Sequence, residues 1–128
     1  MKPLTLEWIE KAEGDFVSAQ REIRARKYPN YDAACFHAQQ CLEEYLKARL
    51  QEADISFGKI HDLSVLLDLI LPIEPFWEPI RPQLRTLTAY AVEYRYPGQS
   101  ADKEMALEAV KICRKIRKII QQNLGLEI

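Results

Sequence analysis

Glycine is scarce in this 128-residue chain, with four in all, and they lie too far apart to build a loop that cradles phosphate. Histidine is scarcer still, with His37 and His61 alone. Cysteines number three, Cys35, Cys41 and Cys113, and their spacing matches no zinc ligand set. An odd count inside apolar helical patterns reads as free buried thiols in a reducing compartment. No metal, cofactor or disulfide is therefore expected. No apolar run approaches the roughly 20 residues that span a bilayer, and Met1-Lys2-Pro3-Leu4 opens no secretory signal. No membrane association is expected, and the expected location is the cytoplasm. A net charge of −1 excludes a general polyanion binder. The chain also lacks a Ser/His/Asp arrangement and the paired acidic motif of a polymerase-type metal site, so it does not read as a nucleotidyltransferase itself.

What is present favours helix. Apolar residues make up 48% of the chain and charged residues 29%, which excludes a disordered segment. Leu, Ala, Glu, Lys, Gln and Arg dominate, β-branched runs are rare, and 128 residues suit one domain over 1–128. The pattern predicts an all-α, antiparallel up-and-down bundle of about five helices. The first runs from Thr5, as N-cap, to about Arg26, with Trp8, Ala12, Phe16, Ala19 and Ile23 as its apolar stripe. Gly14 lies off that stripe, where it admits close approach by a neighbour. Asn30 caps a second helix that ends near Glu52. A short helix spans Asp62 to Leu71 and a fourth starts near Pro79, because proline is tolerated in a first turn but not in an interior. Tyr94 to Ser100 reads as a loop, with Ser100 capping a last helix that ends near Asn123 and Gly125 as its stop signal.

The second helix carries polar groups that a helix does not need. Ala34, Ala38, Cys41, Leu42, Tyr45 and Arg49 fall on one arc, while His37, Gln40 and Glu44 share a neighbouring stripe with Lys47 at its edge. Ile60-His61-Asp62-Leu63 follows, and Tyr94-Arg95-Tyr96-Pro97-Gly98 comes later. Together with Lys11-Ala12-Glu13-Gly14-Asp15-Phe16, these pieces resemble the HEPN domain family in order and spacing. That family carries a Phe/Tyr-His-x-x-Gln-x-x-Glu-x-x-Leu-Lys helix, a later His-x-Leu and an Arg-Tyr-Pro near the last helix. The resemblance implies an antiparallel helical bundle that commonly forms homodimers. It also implies one of two roles: a metal-independent ribonuclease, often a toxin, or a nucleotide-binding module beside a small nucleotidyltransferase.

The ribonuclease members carry an Arg followed four to six residues later by a His, and here neither histidine has an Arg at that upstream distance. Arg85 and Arg95 are followed by no histidine at all. The expectation is a nucleotide- or RNA-associated module without a catalytic set of its own, in a toxin–antitoxin-like pair with a small nucleotidyltransferase. The candidate nucleotide- or partner-binding residues are His37, Gln40, Glu44, Lys47, His61, Arg95 and Tyr96. The alternatives are a ribonuclease toxin with a divergent site, assembled from His61 and Arg95, and a purely structural dimerisation module. Each candidate also has a packing explanation. His37 suits a satisfied packing histidine, His61-Asp62 a helix cap, and Gln40–Glu44 and Glu43–Lys47 ordinary pairs on a solvated face. The Arg95 loop suits a turn, although an Arg with tyrosine rings also clamps phosphate and stacks on a base. The basic run from Lys111 to Lys118 reads as a solvated face favoured by the helix dipole, or as a local strip for RNA or an acidic partner.

Overall fold

The computed structural model describes residues 1–92 and 96–126. Five α-helices follow one another: α1 (Pro3–Arg24), α2 (Tyr31–Glu52), α3 (Leu63–Ile70), α4 (Arg81–Val92) and α5 (Lys103–Asn123), with a 3-10 segment at Pro75–Ile80 before α4. There is no strand among the described residues. Side-chain pairs give the directions. Glu52 meets Thr5, Glu13 meets Tyr45, Asp15 meets His37 and Glu22 meets Asn30, so α1 and α2 are antiparallel along their whole length. Thr88 to Gln39 sets α4 against α2, and Tyr90 to Glu108 brings α5 alongside α4. The result is the expected up-and-down bundle, with α2 at its centre touching every other helix.

The helix ends show how local chemistry won over simple cap signals. α1 starts at Pro3, two residues before Thr5, because proline's missing N–H costs nothing in a first turn. Thr5 is then fully buried within the helix instead of capping it. Its hydroxyl donates to Glu52 Oε1 at 2.9 Å, and the Lys2 backbone N–H donates to the same oxygen at 3.1 Å. A carboxylate from the far end of α2 thus caps α1. Asn30 caps α2 as expected, accepting from the Ala33 N–H at 2.9 Å. α5 is capped by Asp102, which accepts from the Met105 N–H at 2.8 Å; Ser100 stays outside the helix. The carboxylate is the better acceptor for a helix N-terminus than the hydroxyl two residues earlier. Pro79 lies inside the 3-10 segment rather than opening α4, and Pro82 takes the first turn of α4 instead. Gly125, at φ 76°, ends α5 in a Schellman turn, with Leu126 N–H donating to Gln121 O at 2.9 Å.

The core is contributed by all five helices, with Leu42, Leu46, Leu66, Leu84, Leu87 and Ile116 fully buried. Each such side chain contributes about 1.5–3 kcal/mol. Small residues let α1 approach α2: Ala12, Ala19, Ala34 and Ala38 have no exposed surface. Gly14 takes no part in this, since a Cβ placed there would meet nothing within 4 Å. One polar network crosses the core. The Tyr45 hydroxyl donates to Glu13 Oε2 at 2.6 Å and accepts from Gln121 Nε2 at 2.8 Å. Arg117 grips both oxygens of Glu13 at 2.6 Å and lies 4.1 Å from the centre of the Phe16 ring. That fork holds the Glu13 carboxyl below the usual range. Cys35, Cys41 and Cys113 are free and buried, and burial pushes the Cys35 thiol up to about 12. Lys111, Arg114, Lys115 and Lys118 project from the outer face of α5.

Candidate functional site

At 3.6 residues per turn, the polar residues of α2 divide into two faces about 100° apart. Gln39, Gln40 and Glu43, beside Phe36, lie on the face turned towards α4 and the segment before α3, and His37 and Glu44 on the face turned towards α1; Lys47 continues the first stripe but packs on Trp8 and Phe57. The first face forms the floor of a cleft of about 630 Å³. Its walls are His61 and Asp62 from the segment before α3, Thr88, Ala91 and Val92 from α4, and Tyr96 from the following loop. That volume lies within the roughly 300–1,000 Å³ of small-molecule sites.

Glu43 organises this cleft. It is almost fully buried, and its Oε2 is 3.0 Å from Lys47 Nζ and 3.0 Å from His61 Nδ1. Lys47 is buried as well, with its ammonium 5.3 Å from the Trp8 ring centre and 5.8 Å from that of Phe57. The cation therefore balances Glu43 from beneath instead of facing the cleft. A carboxylate only accepts, so Glu43 favours the proton on Nδ1 of His61. The His61 ring is largely solvent-exposed at the cleft mouth, leaving Nε2 for an incoming group. Gln39 is nearly buried, and its carbonyl oxygen accepts from the Thr88 hydroxyl at 3.1 Å. That bond directs Gln39's amide nitrogen elsewhere, and among the described residues neither this nitrogen nor the Gln40 side chain has a hydrogen-bond partner. Two donor-bearing amides thus stand beside the Phe36 and Tyr96 rings.

The second face is a separate cluster. His37 Nδ1 is 2.7 Å from Asp15 Oδ1 on α1. Glu44 hydrogen-bonds to the same Asp15, and its Oε1 is buried without a partner. Burial first, then the bond to and charge of Asp15, push the Glu44 carboxyl up to about 9 despite the opposing pull of Lys11. The raised Glu44 carboxyl thus keeps a proton at this contact, shared with Asp15.

Of the residues expected from sequence, Gln40, His61 and Tyr96 line the cleft, and Lys47 reaches it through Glu43. His37 and Glu44 are on the α1 side. Arg95 lies outside the described residues. Sequence reasoning misses Gln39, Glu43, Phe36 and Thr88 as site residues. For Glu43 the i,i+4 pairing with Lys47 is a signal, and the spacing 36, 39, 40, 43, 47 follows one helical stripe. Nothing in the sequence points to Thr88, which enters the site only through the packing of α4 on α2. Among the described residues no group of three or more His, Cys, Asp or Glu side chains is arranged to hold a metal ion, and no helix is long and apolar enough to cross a membrane.

Comparison with known proteins places this geometry in a family. The model of the HEPN domain matches residues 5–124. The crystal structure of an archaeal HEPN homologue is similar over 96% of this chain and 98% of that one, at 25% identity and a TM-score of 0.70. No match was found among curated proteins. The matched segment takes in all of α2 to α5, nearly all of α1 and every wall of the cleft. The chain belongs to the HEPN domain family.

Proposed function

We propose that this HEPN chain is a nucleotide- or RNA-associated module whose binding site is the cleft between α2 and α4. One observation carries the reading. The Gln39 and Gln40 amides, without partners for their donors among the described residues, share one cleft with the exposed Tyr96 ring and an exposed imidazole. An uncommitted amide reads the hydrogen-bonding edge of a base, and a ring face accepts a base by stacking, worth about 1–3 kcal/mol. His61, Tyr96 and Gln40 are the contact residues, with Glu43 and Lys47 positioning His61. Arg95, next to Tyr96 in sequence, adds charge for a phosphate. The family resemblance favours a homodimer working beside a small nucleotidyltransferase in a toxin–antitoxin-like pair, with the cleft as the shared binding surface. The test is calorimetric titration of nucleotides into the wild type, Gln40→Ala and Tyr96→Ala, with melting curves on the same samples. Both variants should lose binding at nearly unchanged Tm, since exposed or half-exposed substitutions cost little stability. Lowered Tm with unaltered binding would assign these residues to packing.

A ribonuclease with a divergent site is favoured by a single feature. Glu43 orients His61 as an orienting carboxylate does in general acid–base sites. The chain has no Arg followed four to six residues later by a His, so the binding reading is preferred.

A further inference from the structure

A second hollow adjoins the cleft. Asp62, Thr88 and Val92 are also walls of a second groove of about 430 Å³ between the start of α3 and α4, completed by Ser64, Ala89 and Arg85. Arg85 is exposed, and among the described residues it has no ion-pair partner. Glu78, whose carboxyl feels the Arg85 charge, is already held by Arg81 at 2.7 and 3.0 Å. Asp62, the carboxylate in the shared wall, is committed to capping α3, its Oδ1 accepting from the Ser64 and Val65 N–H groups at 2.8 and 3.3 Å. The groove therefore offers a guanidinium with no carboxylate in contact among the described residues and the Ser64 hydroxyl, next to a cleft that offers rings and amides.

We propose that Arg85 holds a phosphate at the site, so that the two adjoining hollows receive one nucleoside monophosphate unit, base in the cleft and phosphate in the groove. The assignment rests on the cleft reading above and adds to it a described residue for the phosphate, beside the charge that Arg95 brings in sequence. A guanidinium presents paired N–H donors that match phosphate oxygens, which an ammonium reproduces only as a point charge. The unit comes either from a free nucleotide or from a residue of a single-stranded RNA.

The experiment is a titration of the full chain, as wild type, Arg85→Ala and Arg85→Lys, with nucleoside monophosphates, the matching nucleosides and a short single-stranded oligoribonucleotide. The wild type should bind monophosphate more tightly than nucleoside. Arg85→Ala should lose about ten- to hundredfold in monophosphate affinity, leaving nucleoside binding unchanged, with Arg85→Lys in between. The same Arg85 dependence seen only with the oligoribonucleotide supports the inference and assigns the unit to RNA. Monophosphate and oligoribonucleotide binding that Arg85→Ala leaves intact overturns the inference while the cleft reading stands. No binding of any of these ligands by the wild type overturns both.

Discussion

Replacing Glu44 with glutamine isolates the unusual protonation at the α1–α2 contact. The folded chain holds the Glu44 proton because burial and Asp15 disfavour the carboxylate, whereas the unfolded chain releases it near the ordinary value of 4.5. Below that value both states are protonated and the linkage vanishes. Above it the folded state retains a proton that the unfolded state has lost, so stability falls as pH rises towards the folded value of about 9. One proton sets a ceiling of about 1.4 kcal/mol per pH unit. Glu44 is only half-buried and shares the proton with Asp15, so we expect about a third of that, roughly 0.5 kcal/mol or about 2 °C in Tm per unit. The Glu44→Gln variant keeps a donor for Asp15 but cannot ionise at this position. Thermal melts of the pair from about pH 5 to about pH 8 should start together and diverge, with the variant more stable at the alkaline end. Parallel curves, or a variant that loses ground as pH rises, would refute a proton held by Glu44.

Three further outcomes follow from the packing and the site. Gly14→Ala should raise stability by about 0.5–1 kcal/mol in denaturant titrations, because the new methyl meets open space in a helix interior. Tyr45→Phe should cost about 1–3 kcal/mol in the same assay, since it leaves Gln121 and Glu13 without their shared hydroxyl. The purified chain should cleave RNA poorly without a partner and regardless of added metal, measured on a labelled single strand; robust cleavage abolished by His61→Ala would favour the nuclease reading.

Much of this architecture is legible in the sequence for identifiable reasons. The apolar arc of α2 follows helical spacing, and Asn30, Asp62 and Gly125 are strong local punctuation, so that element and those ends agree with expectation. Thr5 and Ser100 mislead because the decisive groups are remote or stronger: Glu52 caps α1 from the other end of α2, and Asp102 outcompetes Ser100. The 3-10 segment is not legible because prolines mark a break without saying which turn replaces it. At the site, the polar stripe reads as one group in sequence, but a difference of one residue turns His37 and Glu44 towards α1 and leaves Gln40 and Glu43 facing α4. Only the position of α1 decides that division.

Binding of a nucleotide or RNA unit in the α2–α4 cleft is tested most directly by backbone amide shifts recorded by NMR during nucleotide titration. The largest changes should fall on Gln39, Gln40, Glu43, His61 and Tyr96, with little change at Asp15, His37 and Glu44. Shifts centred instead on the Asp15–His37–Glu44 face or on the basic stripe of α5, or no saturable shifts at all, would contradict a cleft-bound ligand.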